Sequence, residues 1–107
     1  MSYYPIELDK VRNFKYGMKA LSLIEKKFKK PIAEIEAMQT GALSMEEYSV
    51  IMWAGLQHED KNLTPDKVME LIDEHSSLME ATKIMWEALN SVFKTGEETG
   101  ETKEKNK

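Results

Sequence analysis

The run Tyr48-Ser49-Val50-Ile51-Met52-Trp53-Ala54-Gly55-Leu56 constrains this chain more than any other feature. It is apolar on almost every helical face. It follows Ser44-x-x-Glu47, the reciprocal pattern in which a serine and a glutamate satisfy free N–H groups at a helix start. The pattern predicts a helix to about Gln57. A helix apolar nearly all round needs cover on several sides, from the rest of its domain or from a partner. A chain of 107 residues is the size of one domain, so the flanking segments are the cover at hand.

Those segments read as short helices. Gly17 suits an N-cap, and Ala20, Leu21, Leu23, Ile24 and Phe28 predict a helix over 18–29, with Lys29 and Lys30 at the negative end of its dipole. Pro31 fits the first position of a second helix, with Ile32, Ile35 and Met38 on its apolar face and Gly41 as its stop. Thr64-Pro65 is an N-cap followed by an N1 proline, and Val68, Leu71 and Ile72 face inward as far as His75. After the break at Ser76-Ser77, Leu78, Ala81, Ile84, Met85, Ala88, Leu89, Val92 and Phe93 keep the helical period, with Ser77 as cap.

The two ends differ from this. Tyr4, Ile6 and Leu8 alternate with Pro5, Glu7 and Asp9, and Val11 to Tyr16 follows, which predicts two strands around a tight turn. Such a hairpin must pack on something to persist in water. From Lys94 the chain reads KTGEETGETKEKNK, without an apolar residue, and predicts a disordered tail. The expected architecture is mainly α: a short N-terminal β-hairpin followed by a compact bundle of about four to five short helices. It forms one domain over residues 1–93, with a polar tail over 94–107.

Charge is distributed unevenly. Residues 10–30 carry eight cations against Glu25, whereas residues 31–93 carry three cations against twelve acids. Such polarity can steer association or hold one domain together.

Tests for chemistry return little. Without cysteine there are no disulfides, thiolate metal sites or cysteine nucleophiles. His58 and His75 form no ligand pair, and His58-Glu59-Asp60 reads as a solvated loop. Asp60, Asn62 and Thr64 mimic a calcium loop, but Pro65 stands where glycine is required and Leu71 where the closing glutamate is required. The carboxylate pairs Glu46/Glu47, Glu59/Asp60 and Asp73/Glu74 suit helix starts and solvated faces better than acid–base work. No phosphate loop, nucleophile elbow or dinucleotide fingerprint is present. No enzymatic activity, cofactor or metal is expected. No apolar run reaches the roughly 18 residues of a membrane span, and no secretory signal is visible, so a cytoplasmic, non-membrane protein is expected.

Protein binding remains. Eight methionines and two tryptophans are many for this length, and Met52-Trp53 and Met85-Trp86 lie on different helices. Methionine adapts to varied surfaces and tryptophan is enriched at binding hot spots, although any small helical core also needs large side chains. Met52, Met85 and Trp86 are the candidate protein-binding residues. Trp86 lies one position off the last helix's stripe and should be partly exposed, whereas Trp53 should be core. Lys26, Lys27, Lys29 and Lys30 are the candidates for electrostatic association, including head-to-tail self-association.

A family pattern emerges from these elements in order. A hairpin with Ile6-Glu7-Leu8-Asp9 precedes a second strand containing Arg12, then the helix Ala20-Leu21-Ser22-Leu23-Ile24-Glu25-Lys26-Lys27-Phe28. MEEYSVIMWAGLQHED over 45–60 carries Ala54-Gly55-Leu56 near its helix end. LTPDKVMELIDE over 63–74 and a last apolar helix to Phe93 complete it. The chain resembles the tail assembly chaperones of long-tailed bacteriophages, in the branch shared with gene transfer agents. Lys10 stands where the family's hairpin turn has glycine. The resemblance implies a non-enzymatic protein that holds the tape measure protein before the tail tube polymerises, with the tail tube protein as a further possible contact. It implies action in the bacterial host's cytoplasm and absence from the mature virion.

Two alternatives stand beside it. One is a small nucleic-acid-binding regulator using the basic stretch 10–30. Against it, a recognition helix at Thr64 would turn Asp66, Glu70, Asp73 and Glu74 toward phosphates. The other is a structural component of the tail.

Overall fold

In the computed structural model the structure describes residues 4–35, 38 and 40–94. A two-stranded antiparallel hairpin, β1 (Tyr4–Glu7) and β2 (Val11–Phe14), precedes the α-helices α1 (Met18–Phe28), α2 (Met45–Leu56), α3 (Pro65–His75) and α4 (Leu78–Lys94). The mainly helical architecture with an N-terminal hairpin is the one expected.

The hairpin pairs Ile6 with Arg12 and Glu7 with Val11. Its turn closes without glycine because the Asp9 carboxylate accepts from the Lys10 amide at 3.0 Å, while the Leu8 amide donates to the Lys10 carbonyl. Among the described residues Lys29 is the non-glycine residue with positive φ, so Lys10 needs no left-handed backbone. Alternation places Ile6, Leu8, Arg12, Phe14 and Tyr16 inward and Val11 outward.

α2 takes the central position that its all-round apolarity requires. It packs on α1, α3, α4 and β2, while β1 lies against α4. Ile51, Met52, Trp53, Ala54, Gly55 and Leu56 are all buried along it. The start is capped as read: the Ser44 hydroxyl accepts from the Glu47 amide and the Glu47 carboxylate from the Ser44 amide. Thr64 and Ser77 cap α3 and α4 by the same side-chain chemistry, accepting from the Lys67 and Glu80 amides.

One element departs from expectation. The helix predicted from Pro31 toward Gly41 is interrupted at its start: Ile32–Glu34 form a 3-10 turn and Ile35 is extended, while Met38 and Thr40 are again helical. A spacing of three, as in Ile32, Ile35 and Met38, serves a 3-10 turn as well as an α-helix. Ile35 and Met38 are both buried, as the apolar pattern requires. α1 also stops one residue early: Lys29 turns left-handed (φ 61°) and donates its amide to the Glu25 carbonyl at 2.7 Å. The expected tail, 94–107, lies outside the described residues except for Lys94, which ends α4.

Candidate functional site

α2 and α3 pack side by side, and the break at Ser76-Ser77 returns the chain so that Leu78 opens α4 beside them. Between the three lies a cleft of about 230 Å³. Met45, Tyr48, Ser49 and Met52 line it from α2, at the i, i+3, i+4, i+7 spacing of one helical face. Met69, Ile72 and Asp73 line it from α3, and Leu78 closes the end. Met45 is 52% exposed, Leu78 48%, and the adjoining Met79 82%. The Tyr48 ring meets the Trp86 ring edge to face, with centroids 6.5 Å apart. This is an adaptable, largely apolar surface with one carboxylate at its wall.

The sequence candidates divide around it. Met52 reaches the cleft but is buried, so it forms its floor rather than a free contact. Met85 is fully buried on the inner stripe of α4, which corrects the expectation that it offers a partner surface. Trp86, one position off that stripe, is half-buried and props Tyr48 from behind. Trp53 is core, with its indole N–H donating to the Leu63 carbonyl at 2.8 Å. Met45, Met69 and Leu78 were not singled out from sequence. The signal for Met45 was the second stripe 45/48/49/52, hidden because α2 is apolar elsewhere too.

The four lysines are all exposed. The Lys27 ammonium stands 5.7 Å from the centre of the Trp53 ring, and Lys26, Lys29 and Lys30 take part in no ion pair among the described residues.

The loop His58-Glu59-Asp60 is not simply solvated, as the sequence suggested. His58 Nε2 lies 2.8 Å from the Asn13 carbonyl, and the Glu59 carboxylate accepts from both the amide and the side chain of Asn13 at 3.2 Å. Asp60 stands 3.7 Å from Nη1 of Arg12, whose Nε and Nη2 donate to Asp9 at 2.9 Å. Arg12 is thus a buried cation between the hairpin turn and the α2–α3 loop. Its hydrogen bonds hold the Asp9 carboxyl down at about 2, and Asp9 in turn raises Arg12. Burial pushes the Tyr16 phenol well above its usual range, with its hydroxyl donating to the Ile51 carbonyl at 2.7 Å. All three groups are committed to contacts within the fold.

A second, wider groove of about 550 Å³ runs past Lys27, Glu46, Glu47 and Asp66 at the starts of α2 and α3. Among the described residues no group of three or more acidic or histidine side chains is placed to hold a metal ion, and no helix is long and apolar enough to cross a membrane. No family model matches the chain, and neither a curated protein nor a solved structure matches it.

Proposed function

We propose that this chain is a non-catalytic assembly chaperone that holds an amphipathic helical segment of the phage tape measure protein, as its resemblance to tail assembly chaperones implies. The observation that carries the reading is the methionine-lined cleft between α2, α3 and the start of α4, with Met45, Leu78 and Met79 exposed around it. A long helical protein with bare apolar stripes aggregates, and a flexible thioether surface can cover stripes of varied shape. Asp73 in the cleft, with Glu70 and Glu74 exposed on the same helix, selects a segment with basic residues flanking its apolar side. Shallow contacts of this size are individually weak, so many copies would cover a long partner and still release it when tube subunits arrive. Such a protein would act in the host cytoplasm and be missing from finished particles.

Calorimetry with a tape measure fragment tests this. Leu78→Glu, at a half-exposed position, is expected to weaken binding at least about tenfold, the loss of roughly 1.4 kcal/mol, with the thermal midpoint little changed. Equal affinity of the variant and the parent would remove the cleft from the reading. Detection of the chain by mass spectrometry in purified particles would favour a structural tail component instead.

A further inference from the structure

The fold leaves the charge imbalance of the sequence unneutralised. Of the eight cations in residues 10–30, Arg12 alone makes an ion pair among the described residues. On α1, Lys19, Ser22 and Lys26 share the face opposite the buried Ala20 and Ile24, and Lys29 and Lys30 extend it past the helix end. On α3, Asp66, Glu70 and Asp73 share the face opposite Val68, Leu71 and Ile72. Each face is exposed, and no ion pair joins α1 to α3. Lys67 reaches Glu70 at 3.9 Å, so α3 neutralises only a part of its own charge.

The two faces also match in length. Lys19 and Lys26, like Asp66 and Asp73, lie seven positions apart, two helical turns or about 10 Å. We propose that the lysine face of α1 docks on the acidic face of α3 of a second copy of this chain. The faces differ, so the contact is heterologous, and a pair of copies keeps one free face of each sign for the next. The chain carries the complement of its own basic face, at the same spacing, which favours a second copy over a nucleic acid as the occupant. Asp73 also lines the cleft, so the α1 double variant, which leaves the cleft untouched, is the one that separates this contact from cleft binding. Exposed ion pairs are weak singly and screened by salt, so the assembly forms through several together and loosens as salt rises.

Sedimentation of the full chain with charge-reversed variants tests it. At about 20 mM salt the weight-average mass should climb with concentration beyond a dimer of the 12.4 kDa chain, and fall back toward the monomer at about 0.5 M. Lys19→Glu with Lys26→Glu should be monomeric, and so should Glu70→Lys with Asp73→Lys. Mixing the two double variants should restore association, because each then presents a face complementary to the other. All four changes in one chain should restore it too, with circular dichroism confirming the fold of each variant. A parent that stays monomeric at low salt and high concentration would overturn the proposal, as would association indifferent to the reversals or a mixture that stays monomeric. Monomers whose α1 lysines instead retain DNA would assign that face to a polyanion and equally overturn it.

Discussion

The phenol end of Tyr16 is packed against Gly55. A β-carbon at Gly55 would stand 2.7 Å from the phenol oxygen and 2.9 Å from Cε1, and closer still to Cζ. The end of the hairpin is thereby pressed onto the last turn of α2, where the Lys15 amide also donates to the Gly55 carbonyl at 2.9 Å. The Phe14 ring runs nearly parallel to that of Tyr16, with centroids 6.2 Å apart. The glycine of the Ala54-Gly55-Leu56 motif is there for close approach, in the last turn of a helix where alanine would otherwise be the better residue.

Gly55→Ala is therefore expected to destabilise. Alanine gains about 1 kcal/mol over glycine inside a helix. Overpacking a filled site costs about 1–3 kcal/mol or more, and here a ring fixed by its own hydrogen bond has to move. Urea unfolding should show a net loss of up to about 2 kcal/mol. In a Tyr16→Leu background the same change should cost less, and the difference measures the coupling. A Gly55→Ala protein more stable than the parent would mean that the ring yields freely.

Tyr16 also sets an alkaline limit. Its phenol ionises at about 10 in the unfolded chain and well above that when folded, so the raised folded value favours folding at all pH below about 10. That contribution is lost as pH rises above 10 toward the folded value. Tyr16→Phe should lose about 0.5–1.5 kcal/mol at neutral pH with its hydrogen bond to the Ile51 carbonyl. Its stability should then fall less steeply above pH 10 than the parent's. Parallel alkaline limbs would show that another group governs the decline.

At the acid end the sign reverses. The Asp9 carboxyl, held at about 2 by Arg12, contributes stability that is present above the unfolded value near 3.8 and lost as pH falls through about 2. Arg12→Met should return Asp9 to its ordinary range in an NMR titration. It also removes two charge-assisted hydrogen bonds to Asp9 and the Asp60 ion pair, for an expected loss of about 1.5–3 kcal/mol. An unchanged Asp9 titration would contradict the assignment.

The two tryptophans should separate. Trp53→Ala removes a buried ring and its bond to Leu63, at about 3–5 kcal/mol. Trp86→Ala loses a half-buried ring and its edge contact with Tyr48, at about 1–2 kcal/mol, and leaves Tyr48 at the cleft wall held by its hydroxyl's bond to the Gly41 carbonyl. Thermal unfolding should show the first variant failing to fold well and the second folding, and if the proposed function holds, calorimetry should show the second binding a tape measure fragment weakly. Equal destabilisation by both would make Trp86 core.

Local order was legible in the residues themselves. The capping box at Ser44 and Glu47, Thr64-Pro65 and Ser77 mark helix starts through short-range hydrogen bonds that the structure reproduces. The apolar run of α2 specified a central helix, because its faces have no other way to leave water. Periodicity likewise placed Trp53 inside and Trp86 at an edge. It did not show the interruption after Pro31, where a spacing of three does not separate the 3-10 turn over Ile32–Glu34 from the helical residues Met38 and Thr40 that follow.

Partnerships distant in sequence were decided by tertiary structure alone. Arg12 counts as one more cation in a basic stretch until the turn brings Asp9, and the α2–α3 loop brings Asp60, to a guanidinium already buried opposite Ile6. Gly55 reads as a weak point in a helix until Tyr16 is laid across it. Met45, Met69 and Leu78 become one cleft only because α2, α3 and α4 converge. Periodicity reports which face of an element leaves water, but it carries no information about which distant face will meet it. That choice is made by shape and charge complementarity across the whole domain.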